Sequence, residues 1–184
     1  MRRWLPQSQF GRDVATLLGG TAAATAIPLL AQPILSRYYE PKHWGPQGLF
    51  EAVFSILSII ATARYEQGIV LPSEDHQGAA LFRLSARFTI GFTVLVSLVC
   101  AVLYFFREGP FRLWIPWVPV AVLATGLYQT LTFWCIRMRA FGLLAQSRML
   151  RQLFVVLLWI AGGLLHRGAS GLVIGLAVGQ LLGT

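Results

Sequence analysis

Apolar stretches of about twenty residues recur along this chain, and most of its charges fall in the short clusters between them. A helix takes about 20 predominantly apolar residues to cross a hydrocarbon core of about 30 Å. The pattern predicts an all-α integral membrane bundle, a single unit over residues 1–184 with about six spans. They are expected at about 14–36, 48–68, 88–106, 113–136, 149–165 and 168–184. Six spans consume roughly 120 residues, which leaves no room for a separate soluble domain. Charged residues are 12% of the 184, against about a quarter in soluble domains, so composition agrees.

The charge is strongly positive, +8, which raises the question of nucleic acid. The basic residues are scattered singly between spans, form no stripe, and bring no basic-aromatic module with them, so no nucleic-acid partner is expected. Orientation accounts for them better, because cytoplasmic loops are enriched in Lys and Arg. Arg2, Arg3, Arg12, Arg64, Arg83, Arg87, Arg137, Arg139, Arg148 and Arg151 fall on one side of the expected topology. Arg37, Lys42, Arg107, Arg112 and Arg167 fall on the other. Ten against five places the N-terminus in the cytoplasm. The first span is not a signal peptide: its apolar run exceeds the roughly 7–15 residues of a signal core, and five more spans follow.

The fourth span marks its own edges. Gly109-Pro110 predicts a turn, Trp114 and Trp117 open the helix, and Trp134 closes it. Twenty residues separate Trp114 from Trp134, about 30 Å of helix, which matches two interfacial belts. Pro116 and Pro119 sit in or near the first turn, where a missing N–H matters least.

Within the spans a few residues stand out. Arg64-Tyr65-Glu66 interrupts an otherwise apolar run from Leu49 to Leu71. Either the pair caps the cytoplasmic end of the second helix at headgroup depth, or it faces a water-filled cavity. In the second case Arg64 binds an anion and Glu66 carries a coupling proton. Pro28 and Pro33 each remove a helix hydrogen bond from the first span and predict a kink, static or moving. Gln32, beside Pro33, is a polar group at membrane depth that needs a partner. Gly171, Gly175, Gly179 and Gly183 repeat every four residues and predict a ridge against which another helix packs closely, with Gln180 placed to bond across it.

The connection from Arg137 to Arg151 is cationic with a few apolar positions. It is expected as a helix lying on the membrane surface, with Arg151 snorkelling to the interface, or as a gate that meets anionic cargo. Cys100 and Cys135 lie in spans, and His43, His76 and His166 in three separate connections. No metal pattern, cofactor motif or catalytic set emerges, so an enzyme is not expected.

Four stretches resemble the polysaccharide flippases of the multidrug/oligosaccharidyl-lipid/polysaccharide exporter superfamily. Gly20 to Gly45 resembles that family's first helix and following loop, and A-T-A-R-Y-E-Q-G-I-V-L-P, Ala61 to Pro72, the end of its second. The connection from Arg137 to Arg151, and G-A-S-G-L-V-I-G from Gly168, resemble its fourth connection and the start of its sixth helix. The resemblance implies one lobe of a two-lobe transporter that turns a polyprenyl-diphosphate-linked oligosaccharide across the bacterial inner membrane, serving cell-surface polysaccharide such as O-antigen. It implies a cationic cavity, with Arg64 and Arg37 as candidate substrate-binding residues and Glu66 as the candidate for ion coupling. The chain stops where the family's first lobe stops, so it is expected to be a fragment, or a half that pairs with a missing C-terminal lobe or a second copy. Two alternatives stand beside this: a drug or metabolite exporter of the same superfamily, and a membrane scaffold for polysaccharide assembly enzymes.

Overall fold

The computed structural model describes residues 7–106 and 110–183, and among them the chain is all helical. Arg2, Arg3, Arg107, Gly109 and Thr184, used above for orientation, turn and terminus, lie outside the described residues. The elements are α1 (Gln7–Tyr38), α2 (Pro41–Thr62), the single turn α3 (Tyr65–Gly68), α4 (Asp75–Phe106), α5 (Trp117–Arg137), α6 (Phe141–Leu164) and α7 (Ala169–Leu182). A 3₁₀ turn, Pro110–Leu113, precedes α5.

Five helices, α1, α2, α4, α5 and α6, are long and apolar enough to cross a membrane. The protein is therefore a multi-pass membrane bundle. α7 is also apolar, but its 14 residues make about 21 Å, short of the roughly 30 Å core. The helices run longer than the hydropathy segments at their charged ends. α4 begins at Asp75 rather than near residue 88, so Arg83 and Arg87 are exposed residues of its third and fourth turns. α6 begins at Phe141 rather than near 149, so most of the expected surface helix is instead the first turns of α6. The physical reason is the same in both. Arginine is a good helix former and interrupts apolarity without interrupting the backbone ladder.

The chain breaks where the backbone is forced out of the right-handed well. Ala63 (φ 46°) and Arg64 (φ 60°) are consecutive left-handed residues that end α2 two residues before α3. Arg139 (φ 55°) does the same between α5 and α6. At the other face Pro41 opens α2, and the Glu40 N–H donates to His43 Nδ1 at 3.3 Å. Lys42 Nζ, 2.6 Å from Glu40 Oε2, holds that exposed carboxyl below its ordinary range.

α5 and α7 occupy the middle, with α2, α4 and α6 around them and α1 outside, against α6. Between helices in lipid there is no hydrophobic drive, and association rests on close packing and interhelical hydrogen bonds. The seams follow that rule. On the α4–α5 seam Ser85 and Thr130 share a hydrogen bond of 3.0 Å, and Thr89 packs over Gly126. Thr125 donates to Gln180 between α5 and α7. Along α6–α7 the four glycines face Gly162, Trp159, Val155 and Arg151 in turn. A Cβ added at Gly175 would lie 2.8 Å from Trp159 Cδ1, and at Gly179 only 2.7 Å from the Val155 Cα. α1 approaches α6 through Gly20, Ala24, Ala31 and Leu35, with Gly20 against Ala145.

At the face where α1 joins α2, an aromatic group closes the bundle. Tyr39, 2% exposed, donates its hydroxyl to the Trp159 carbonyl at 2.7 Å, and Trp159 Nε1 donates to Leu172 O at 2.9 Å. Trp114, expected in an interfacial belt, is instead buried at 8% exposure, its indole N–H on Ser170 Oγ. It belongs to the same buried cluster as Leu172 and Val173 of α7.

Candidate functional site

α1 packs on α6, which α5 touches only lightly, and a cleft of about 350 Å³ opens where the three helices meet. Its floor is α6, which contributes Arg148, Arg151 and Gln152, spaced i, i+3 and i+4 and so sharing one helical face. α5 supplies Tyr128, Gln129 and Thr132, spaced i, i+1 and i+4, and α1 supplies Thr21 and Thr25, one turn apart. Three apolar helices thus turn their polar residues toward one another.

The position of the arginine on its helix is unusual. Arg151 is the eleventh of the 24 residues of α6, near the middle of a helix long enough and apolar enough to cross a membrane. An arginine at a helix centre costs about 2.5–3.5 kcal/mol on insertion scales, so such residues face partners or water. Here the guanidinium carbon of Arg151 stands 4.1 Å from the centre of the Tyr128 ring, a cation–π contact. Arg148 Nη1 donates to Thr21 Oγ1 at 2.8 Å, tying α6 to α1. Neither contact neutralises charge. Among the described residues no carboxylate bridges Arg148 or Arg151.

Two further groups in the cleft are unfinished. The Tyr128 hydroxyl and Thr132 Oγ1 are buried without a hydrogen-bond partner. A phenol and a threonine hydroxyl both donate as well as accept. Two positive charges and two spare hydroxyls in one cleft suit an oxyanion, which arginine binds through planar forked donors.

The residues singled out from sequence are distributed elsewhere. Arg37 is exposed in the last turn of α1, sixteen residues from Thr21, about 24 Å along the helix. Arg64 is exposed beyond the end of α2, at the opposite face of the bundle, so the two do not share a site. Glu66 is 3% exposed in α3, and its Oε2 has no hydrogen-bond partner. Pro28 and Pro33 lie inside a continuous α1. Gly171, Gly175, Gly179 and Gly183 belong to the α6–α7 seam. Close to Glu66 in the fold, Arg137 binds the loop that follows α3. Its Nη1 donates to Ile69 O and Pro72 O, both at 2.8 Å, and its Nη2 to Glu74 O and Asp75 Oδ1, both at 3.0 Å.

Sequence reasoning passed over Tyr128, Gln129, Thr132, Thr21 and Thr25, and placed Arg151 at the interface. The available signal was polar residues three or four apart in three apolar segments: Thr21 with Thr25, Tyr128 and Gln129 with Thr132, and Arg148 with Arg151 and Gln152. No group of histidine, cysteine, aspartate or glutamate suited to a metal occurs among the described residues. No family model matches this chain, and no curated protein or solved structure does either.

Proposed function

We propose that this chain forms one lobe of a transporter that turns a polyprenyl-diphosphate-linked oligosaccharide across the bacterial inner membrane, with its N-terminus in the cytoplasm. The observation that carries the proposal is the cleft: Arg148 and Arg151, on a helix long and apolar enough to cross a membrane, with no described carboxylate to satisfy them. The resemblance of the four stretches to polysaccharide flippases points the same way, and the excess of arginine on the N-terminal side supports the orientation.

In this mechanism the diphosphate leaves the headgroup layer and meets the two guanidiniums, while the Tyr128 and Thr132 hydroxyls complete its hydrogen bonding. The polyprenyl tail stays in the bilayer alongside. A second lobe, whether a C-terminal continuation or another copy, closes the cleft, and rocking of the lobes exposes the anion to the other face. Glu66 is the candidate for proton coupling, on the strength of a buried carboxyl oxygen that meets no donor. Export of cationic drugs, the alternative within the superfamily, fits the cleft poorly because both of its charges are positive.

The experiment is lipid-linked oligosaccharide flipping by the full-length protein in proteoliposomes. A hydrogen-bonded charge is worth about 1.5–3 kcal/mol, so Arg151→Met should slow flipping by about ten- to a hundredfold, and Arg148→Met similarly. Rates equal to the parent in both variants would remove the cleft from the cargo path. Arg64→Ala and Glu66→Ala in the same assay decide whether those residues belong to the mechanism.

A further inference from the structure

α1 carries three distinct faces. Gly20, Ala24, Ala31 and Leu35 are buried on α6. Leu30 and Ile34 are exposed and apolar, as a lipid-facing surface should be. The third face holds Thr21, Thr25, Gln32 and Ser36, with Pro28 between them. Their spacing of i, i+4, i+7, i+11 and i+15 is one helical stripe. All four polar residues are exposed, and the Gln32 amide has no hydrogen-bond partner among the described residues.

Such a stripe does not suit acyl chains. A primary amide carries two donors and an acceptor with two lone pairs, and hydrocarbon satisfies none of them. Thr25 and Ser36 donate to Thr21 O and Pro33 O, but their lone pairs remain free. Pro28 and Pro33 lack the N–H groups that would bond the carbonyls of Ala24 and Leu29, so further polar atoms are released in the same stretch. The stripe is also continuous with the arginine cleft. Thr21 and Thr25 line that cleft and also a shallow groove of about 470 Å³ along α1 that reaches Leu29. Beyond it come Gln32, Ser36 and the exposed Arg37 at the far end of the helix.

We infer that Thr21, Thr25, Gln32 and Ser36 form one wall of a water-filled path. It runs from the Arg148–Arg151 cleft to the opposite membrane face, and the hydroxylated part of a cargo moves along it. The path follows from the stripe itself; the cargo rests on the function proposed above. Sugar hydroxyls exchange hydrogen bonds with amides and hydroxyls at little cost, so a ladder of such groups lets them pass without binding tightly.

The test is thiol accessibility of the full-length protein in sealed vesicles of both orientations. Cys100 and Cys135 are replaced by alanine, and single cysteines are introduced as Thr25→Cys, Gln32→Cys, Leu30→Cys and Ile34→Cys. The thiolate is the reactive form and needs water around it, so a charged, membrane-impermeant thiosulfonate should modify Thr25→Cys and Gln32→Cys about tenfold or more faster than the other two. All four should react fully after denaturation, which controls for expression and oxidation. If Gln32→Cys reacts no faster than Ile34→Cys in either orientation, the stripe is dry and the path is overturned. Labelling is read without transport, so this outcome is independent of what Arg151→Met does to flipping. A reactive stripe with flipping unaffected by Arg151→Met keeps the water path and removes the cargo assigned to it.

Discussion

Replacing Arg137 with methionine keeps most of the side-chain volume and removes every donor of a guanidinium whose side chain is only 9% exposed. Four acceptors lose a bond, and they are not equivalent. Asp75 is 89% exposed, so its ion pair is worth about 0–1 kcal/mol. Glu74 O still accepts the Gly78 N–H at 3.3 Å. The loss therefore concentrates on Ile69 O and Pro72 O, each 2.8 Å from Nη1. Two bonds from a charged donor to part-buried carbonyls, at about 1.5 kcal/mol each, give about 3 kcal/mol. For a chain of this size 1 kcal/mol moves the midpoint by about 2–4 °C, so detergent-solubilised Arg137→Met should melt about 6–12 °C below the parent. Arg139→Met is the control, since Arg139 is exposed two residues further on and should stay within about 0.5 kcal/mol. Hydrogen exchange should also rise selectively in residues 69–75, which Arg137 clamps. Equal melting of the two variants would refute the assignment of Arg137 as the clamp.

Further expectations follow from the seams and the aromatic closure. Gly179→Leu forces a Cβ to within 2.7 Å of the Val155 Cα, which cannot yield, and should destabilise by about 1–3 kcal/mol or more. Gly142→Leu, with nothing within 4 Å, should fold and melt as the parent does; equal melting of the two would refute the tight α6–α7 seam. Tyr39→Phe leaves the Trp159 carbonyl without its 2.7 Å donor and should cost about 1 kcal/mol by thermal melting. Burial pushes the Tyr39 phenol from 10.0 up to about 12. The folded state then holds that proton where the unfolded state releases it. The contribution is therefore complete below pH 10 and lost as pH rises toward about 12. Folded parent and folded Tyr39→Phe should therefore give equal phenolate absorbance near pH 10, and an excess of one tyrosine in the parent there would contradict the assignment.

Much of the fold was legible because hydrocarbon imposes a one-dimensional rule. The apolar length of each segment announces a span, and five helices of the required length occur where apolar residues run on. The glycine spacing in α7 was equally open to reading, since four residues make roughly one helical turn. Helix starts were not. Arg83 and Arg87 break the apolar run of α4 without weakening its hydrogen bonds, and Arg148 and Arg151 do the same in α6, so apolar length and flanking charge place both starts too late. The exposed Arg64 and the buried Glu66, two residues apart, show the limit from the other side. Adjacency in sequence put them together, and two left-handed residues turned them into different surroundings.

Sequence alone determined that this is a helical membrane chain, roughly which segments form its long apolar helices, and which faces are small enough for helices to meet. Those properties depend on residue size, polarity and local spacing, all of which travel with the chain. Only the packing of α1 and α5 on either side of α6 decided that Arg148 and Arg151 stand in a polar cleft with Tyr128 and Thr21. The free energy of a charge among apolar helices is set by what neighbouring helices place beside it, and Tyr128 and Thr21, on helices other than that of Arg148 and Arg151, are brought there by the tertiary structure.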